Sequence, residues 1–307
     1  TLPDGTYYLN ATVNDSAGNS NLTETRTITL DTSAPVVSSV TSTPSLPLYT
    51  NGSEQNISVN FSSTEYPINI TFYLYNSTGS IVNTSGPTTL NSIGDLPINF
   101  TIENTLGDGN YSLNFTVIDP AGNNNTETVG TTVIDATYPT AGTNAPTLTS
   151  GNYSYDYIYA NISTVEQNLN NITISIYNST GGLVISNSST TSPFFWNYTG
   201  LSDGTYYWNS TIYDLAGNIN STSTQTITLD TTIPAIAIAS PTTATGNYSQ
   251  SHVEMNITFS DTNLDAATIY LYNTSGLVQS NTSTTSPLFV NFTILPDGTY
   301  YLNSTIN

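Results

Sequence analysis

The chain has 307 residues, 21 acidic side chains and a single cationic one, Arg26, for a net charge of −20. That balance excludes electrostatic attraction to nucleic acid or to anionic lipid as a basis of function. Cysteine is absent, which removes disulfides, metal thiolates and thiol nucleophiles together.

The absence of lysine removes the lysine half of any Lys–Asn isopeptide cross-link. The chain contains 22 Tyr and 9 Phe, whereas disordered segments are poor in aromatics, so it reads as folded. No apolar run approaches the ~18 residues of a membrane-spanning helix, so no direct membrane insertion is expected.

In chain order, the first element follows Asp4-Gly5. Tyr7, Leu9, Ala11 and Val13 alternate with Tyr8, Asn10, Thr12 and Asn14, which reads as a strand with the first set toward a core. A D-x-A-G-N turn follows at Asp15–Asn19, and then T-L-D-T-S-A-P at Thr29–Pro35. The alternation returns at Tyr111, Leu113, Phe115 and Val117 against Ser112, Asn114 and Thr116. From Pro139 the chain predicts seven strands: one near Ala145–Thr149, then Tyr157–Thr164, Ile172–Tyr177, Leu183–Ser188, Phe194–Thr199, Tyr206–Tyr213 and Thr224–Leu229. Helical periodicity is absent over any useful length.

Internal repetition sets the architecture. D-G-x-Y begins at Asp4, Asp108, Asp203 and Asp297; D-x-A-G-N begins at Asp15, Asp119 and Asp214; and an Asp precedes a Pro by four at Asp31, Asp135 and Asp230. All three motifs step by 104 and then 95 residues, and the first then steps by 94. Each step matches the ~100 residues of one immunoglobulin-type sandwich. The expected fold is all-β: tandem immunoglobulin-like seven-stranded β-sandwiches in an elongated array. Residues 1–34 read as the last two strands of one domain, 35–138 and 139–233 as complete domains, and 234–307 as a domain lacking its last strand. The first Tyr after each D-G (Tyr7, Tyr111, Tyr206, Tyr300) stands where a tyrosine corner would.

Through D-G-T-Y-Y at Asp4–Tyr8, D-S-A-G-N at Asp15–Asn19 and T-L-D-T-S-A-P at Thr29–Pro35, with their later copies, the whole chain resembles the tandem bacterial- and archaeal-type Ig-like repeats of cell surfaces. That family includes adhesin stalks, S-layer-associated proteins and fibres. The resemblance implies an extracellular, surface location, and function only by class. The lack of lysine and the density of asparagine depart from typical members.

The chain holds 38 Asn and 94 Ser plus Thr, so random order would place a hydroxyl two residues after about 12 of the Asn. It contains 27 N-x-S/T triplets, none with Pro between. Strand alternation accounts for part of this excess, but Asn is a poor strand former and Thr would serve better. The pattern therefore points to N-linked glycans on outward asparagines. The candidate acceptors are Asn10, Asn14, Asn21, Asn56, Asn60, Asn69, Asn76, Asn99, Asn110, Asn114, Asn161, Asn171, Asn178, Asn197, Asn209, Asn220, Asn256, Asn273, Asn291 and Asn303. One site, Asn10/Asn114/Asn209/Asn303, recurs in all four copies, with Tyr8, Tyr207 and Tyr301 on the same face in three. Such density in a prokaryotic-type repeat suggests, by analogy, an archaeal surface.

Ten of the 14 Asp lie in the repeated motifs, which argues for architecture, since a catalytic pair normally occurs once. The D-G and D-x-A-G-N aspartates are expected to cap their own turns. An acidic residue also ends the second strand of each repeat, at Glu65, Glu166 and Asp261. In this topology Asp31, Glu65 and Asp119 are expected to converge at one junction, and Asp135, Glu166 and Asp214 at the next. With no lysine or arginine nearby, such clusters suit a structural Ca²⁺ at the hard oxygens; the alternative is that the carboxylates splay into water and stay apart. No other cofactor is required.

No catalytic residue is assigned. His252 is the only imidazole, and its companion Glu254 would simply share its strand face. Short, Pro-bearing linkers favour stiff junctions. The expected function is a structural component of a fibre, stalk or sheath; the alternative is an adhesin binding through domains elsewhere. Partners are then copies of the chain, or further repeats of a longer one, in a linear assembly. Thr1–Asn14 and Ile294–Asn307 are identical at 11 of 14 positions. Either the chain continues at a D-x-A-G-N turn, or a neighbour donates the missing strand from residues 15–34. A donated seventh strand needs no second copy of the sixth, which favours continuation.

Overall fold

The structure is a computed structural model and describes residues 1–307. Strands β1 (Gly5–Leu9) and β4 (Arg26–Leu30) form one antiparallel pair, and β2 (Thr12–Asn14) and β3 (Ser20–Leu22) another. This ribbon carries the alternation expected of it, but nothing covers its apolar face. Leu9 and Val13 are 61% and 69% exposed, whereas their counterparts Leu113 and Val117 are fully buried.

The next unit contains β5 (Val37–Thr43), β6 (Leu48–Thr50), β7 (Gln55–Ser63), β8 (Ile68–Asn76), β9 (Ile81–Leu90), β10 (Ile98–Ile102), β11 (Gly109–Ile118) and β12 (Asn124–Ile134). They build a three-stranded sheet, β10-β7-β5, and a five-stranded sheet, β6-β12-β11-β8-β9. Period-two alternation drives the packing. Ile57, Val59 and Phe61 point inward from β7 while Asn56 and Asn60 face water. Phe115 of β11 meets Phe61 at 4.9 Å and Phe72 at 5.7 Å between ring centroids.

The second unit repeats the plan with β13 (Gly142–Thr143), β14 (Gly151–Tyr153), β15 (Tyr157–Ser163), β16 (Leu169–Asn178), β17 (Leu183–Ser189), β18 (Phe194–Thr199), β19 (Gly204–Asp214), β20 (Ile219–Ser221) and β21 (Gln225–Leu229). Its sheets are β13-β15-β18 and β14-β21-β19-β16-β17, with β20 pairing β19. The strand predicted near Ala145–Thr149 is instead two short strands in different sheets. β13 pairs with β15, and the chain then crosses over so that β14 runs parallel to β21. The same division separates β5 from β6, which runs parallel to β12. Trp208 and Ser210 occupy the β19 positions that Leu113 and Phe115 hold in β11, 95 residues earlier, so bulk lost at one position is gained at the other.

The third unit contains β22 (Ala235–Ala239), β23 (Val253–Ser260), β24 (Ala267–Asn273), β25 (Gly276–Ser283), β26 (Leu288–Phe292) and β27 (Tyr300–Ile306), in sheets β22-β23-β26 and β25-β24-β27. Gly246–Tyr248 repeats the Gly-Asn-Tyr of β14 but is not a strand. Its pairing partner in the second unit is β21, and no corresponding strand occurs here.

The tyrosine corners form in every copy. Tyr7, Tyr111, Tyr206 and Tyr300 donate to the carbonyls of Pro3, Gly107, Ser202 and Pro296 at 2.7, 2.7, 3.0 and 3.0 Å. Tyr111→Phe should therefore destabilise the first complete sandwich by about 1 kcal/mol, the net worth of one hydrogen bond. Urea unfolding checks this; an unchanged midpoint would show that the hydroxyl contributes nothing. The D-x-A-G-N turn needs its glycine, since Gly18, Gly122 and Gly217 sit at φ +89°, +97° and +90°. No helix is long and apolar enough to cross a membrane.

Candidate functional site

Each junction is built from the repeated motifs. The D-x-A-G-N aspartates cap locally, as the sequence implies. Asp119 accepts from the N–H of Gly122 and Asn123 at 2.7 and 2.9 Å and from Asn123 Nδ2 at 2.9 Å. Asp214 accepts from Asn218 N and Nδ2 at 2.8 and 2.7 Å. Asp15 is held in the same way by Ala17 and Asn19.

The D-G aspartates do not cap their own turns, and this corrects the sequence expectation. Asp4, Asp108 and Asp203 each reach the linker after the domain's last strand, 28 residues on. Asp4 accepts from Thr32 N at 3.1 Å, Asp108 from Ala136 N at 2.8 Å, and Asp203 from Thr231 N at 2.9 Å. The hydroxyls of Thr32 and Ser33, of Thr137, and of Thr231 and Thr232 add further bonds. These clamps aim each linker at the following domain.

A second feature escaped sequence reasoning. The final Asn of D-x-A-G-N also holds the linker that enters its domain. Asn123 Nδ2 donates to Asp31 O at 3.1 Å, and Asn218 Nδ2 to Asp135 O at 2.7 Å and Thr137 O at 3.3 Å. Asn218 is almost wholly buried. The recurrence of Asn at that motif position was the available signal.

Around these staples the structure brings the expected carboxylates together. Asp31, Glu65 and Asp119 each place an oxygen within 4.8 Å of the other two, and so do Asp135, Glu166 and Asp214. Asp119, Asp135 and Asp214 are 3%, 7% and 1% exposed. Asn168 Nδ2 supports Asp135 at 2.7 Å, and Asn263 Nδ2 supports Asp230 at 2.6 Å in the third unit. No cation balances these groups, because Arg26 pairs with Glu24 at 3.1 Å and both are exposed.

Burial, followed by the charges of Asp31 and Asp119, raises the carboxyl of Glu65 above its ordinary value. Burial also acts upward on Asp119, but bonds from the Asn123 side chain and from the N–H groups of Asn123 and Gly122 outweigh it and hold the group low. The Thr137 hydroxyl and the Ala136 N–H lower Asp108; the Thr32 and Thr231 N–H groups lead in lowering Asp4 and Asp203.

A carboxyl held low in the folded state stabilises it above the unfolded value, here 3.8, and that contribution is lost as pH falls through the depressed value. The first complete domain should accordingly lose stability below pH 3.8. Asp108→Asn should make that acid limb shallower. Thermal melts across pH check this, and an unchanged limb would argue against the clamp.

Residues 190–283 match the family model of a bacterial Ig-like domain (group 3), and residues 68–136 match that of a bacterial Ig-like domain. This chain is a tandem bacterial-type Ig-like repeat protein. No curated protein matches it significantly. Among solved structures it is similar to the fibronectin(III)-like modules of Clostridium thermocellum CbhA, at 14% identity over 62% of this chain and 93% of the other, with a TM-score of 0.37. It is also similar to chicken CNTN1 FN1–FN3 (8% identity, 88% and 92% covered, TM-score 0.29) and to a 1.5-MDa bacterial ice-binding adhesin (15%, 90% and 88%, TM-score 0.34). Domains of this class are generally non-catalytic.

The Ig-like array sorts the sequon asparagines by what their amides do. Asn161 and Asn256 spend Nδ2 on the Ala145 and Ser240 carbonyls at 3.2 and 2.8 Å, with Oδ1 buried, so they tie the first strand region to the second. Asn220 Nδ2 ties to Pro139 O at 2.9 Å. The recurring Asn10 and Asn209 contact the hydroxyls of Thr25 and Thr224 at 3.1 and 3.3 Å. In the hairpin turns, Asn76, Asn178 and Asn273 use Oδ1 to accept turn N–H groups. Asn14, Asn56, Asn60, Asn110, Asn197 and Asn303 are exposed.

Proposed function

We propose that this chain is a structural segment of an extracellular surface stalk, fibre or sheath, stiffened at each junction by Ca²⁺ and covered by N-linked glycans. The observation that carries the reading is the repeated junction, in which an asparagine staple and three carboxylates join consecutive domains. Two oxygens on opposite sides of one Ca²⁺ lie about 4.8 Å apart at its usual bond length of about 2.4 Å. The clusters fit that limit, with other ligand positions left to water and backbone carbonyls. Buried acidic oxygens without a cationic side chain are hard ligands of the kind Ca²⁺ takes.

The glycan reading rests on sequons whose amides are exposed. It leaves out Asn161, Asn220 and Asn256, whose Nδ2 groups are tied to backbone. Their number favours an archaeal surface, where the chain would assemble linearly with further repeats or copies of itself. Sugars would also solvate strand edges that carry few charges.

Two measurements test the proposal. In Ca²⁺, small-angle scattering should give a radius of gyration well above the ~19 Å of a compact 307-residue globule. Antibodies to residues 35–233 should label intact cells. A compact particle, or labelling only after permeabilisation, would sink the stalk reading.

A further inference from the structure

Three repeats place a sequon at the same outward position of the fifth strand: Asn99 on β10, Asn197 on β18 and Asn291 on β26. Their amides differ in what holds them. Asn99 Oδ1 accepts from Ser58 Oγ at 2.6 Å. Asn291 Nδ2 donates to Glu254 Oε1 at 3.0 Å. In register with Asn197 stands Tyr159, and no hydrogen bond holds the Asn197 amide. Side chains directly opposite one another on an antiparallel pair have Cβ atoms about 5 Å apart.

Tyr159 ends a ladder of tyrosines found in this repeat alone. Successive ring centroids from Tyr153 through Tyr155 and Tyr157 to Tyr159 lie 5.3, 4.4 and 5.9 Å apart, with the middle pair stacked at 12°. Phe195, outward on β18 and 51% exposed, flanks Asn197 on the other side. Neither β15 nor β18 carries a charge, and β18 is the edge strand of its sheet. A rigid, uncharged aromatic face directly beside an exposed acceptor amide suits the C–H face of a pyranose ring, which packs on the electron-rich face of an aromatic.

We propose that Asn197 carries an N-linked glycan whose first sugar lies on the face made by Tyr157, Tyr159 and Phe195. This rests on the glycosylation reading above and names its preferred site. The donor is a lipid-phosphate-activated saccharide. A transferase joins Asn197 Nδ2 to the anomeric carbon, the bond from that carbon to phosphate oxygen breaks, the lipid phosphate leaves, and the amide proton passes to a base of the transferase. Asn99 and Asn291 fill less completely, because Ser58 and Glu254 hold their amides.

The test is site-by-site glycopeptide mass spectrometry of the full chain secreted from a host with an N-glycosylation pathway, combined with acetylation of exposed tyrosines. The expected result is high occupancy at Asn197, low occupancy at Asn291, and severalfold slower acetylation of Tyr157 and Tyr159 than in Asn197→Gln, an exposed change that leaves the core untouched. A bare Asn197 beside other occupied sequons overturns this inference and leaves the general glycan reading standing. A chain with no occupied sequon overturns both. An occupied Asn197 with tyrosines as reactive as in Asn197→Gln overturns the aromatic docking.

Discussion

Ca²⁺ at about a hundred times its Kd should stabilise the domains flanking a junction by about 2.7 kcal/mol, the mass-action gain for a ligand that binds only the folded state. The physical reason lies in Asp135, Glu166 and Asp214, whose oxygens crowd within 4.8 Å while two of the three are nearly out of water. Like charges that close, with no cationic side chain in reach, oppose docking of the two domains. A divalent ion reverses the sign of that interaction. Calorimetry with and without chelator reads the gain, and scattering should show the rod loosening on chelation while each domain stays folded. Asp214→Asn should abolish the gain at the second junction and leave that at Asp31, Glu65 and Asp119. Identical melts in millimolar Ca²⁺ and in chelator would remove the ion from the account.

Trp208→Ala should cost about 3–5 kcal/mol, the usual range for deleting a large buried aromatic. Trp208 is fully buried among Ile158, Ile174 and Ile227, and its Nε1 donates to Leu148 O at 3.1 Å, so the change leaves both a cavity and an unpaired carbonyl. The loss should fall on the second complete domain alone, lowering one calorimetric transition while that of residues 35–138 stays in place. Movement of both transitions together would show that the junction couples them into one unfolding unit. Combining Trp208→Leu with Ser210→Phe restores the Leu-Phe pair found at Leu113 and Phe115, and should cost less than Trp208→Ala.

Much of this molecule was legible in one dimension. Alternation along Tyr111–Val117 placed a strand and its buried face, because side chains two apart in a strand share a side. The corner tyrosines bond four residues back, within reach of local sequence. The meeting of Asp31, Glu65 and Asp119 followed from repeated spacing combined with sandwich topology. The expected first strand divides because Gly142–Thr143 and Gly151–Tyr153 serve opposite sheets, and sheet membership depends on partners about 20 residues away in one sheet and about 75 in the other.

By itself, then, the sequence determined the period, the strands after the first, the D-x-A-G-N turns and the acidic ends of the second strands. All of these are set by residue type within a few positions along the chain. Tertiary structure alone decided that Asp108 clamps Ala136, that Asn218 holds the Asp135 carbonyl, and that Asn161 ties strands while Asn197 stands free beside Tyr159. Each of those outcomes depends on which groups a sheet register or a domain contact brings within about 3 Å of a side-chain amide or carboxylate. Asn161-Ile-Ser163 and Asn197-Tyr-Thr199 are both N-x-S/T triplets on strands; packing against a neighbouring strand is what separates a structural amide from an accessible one.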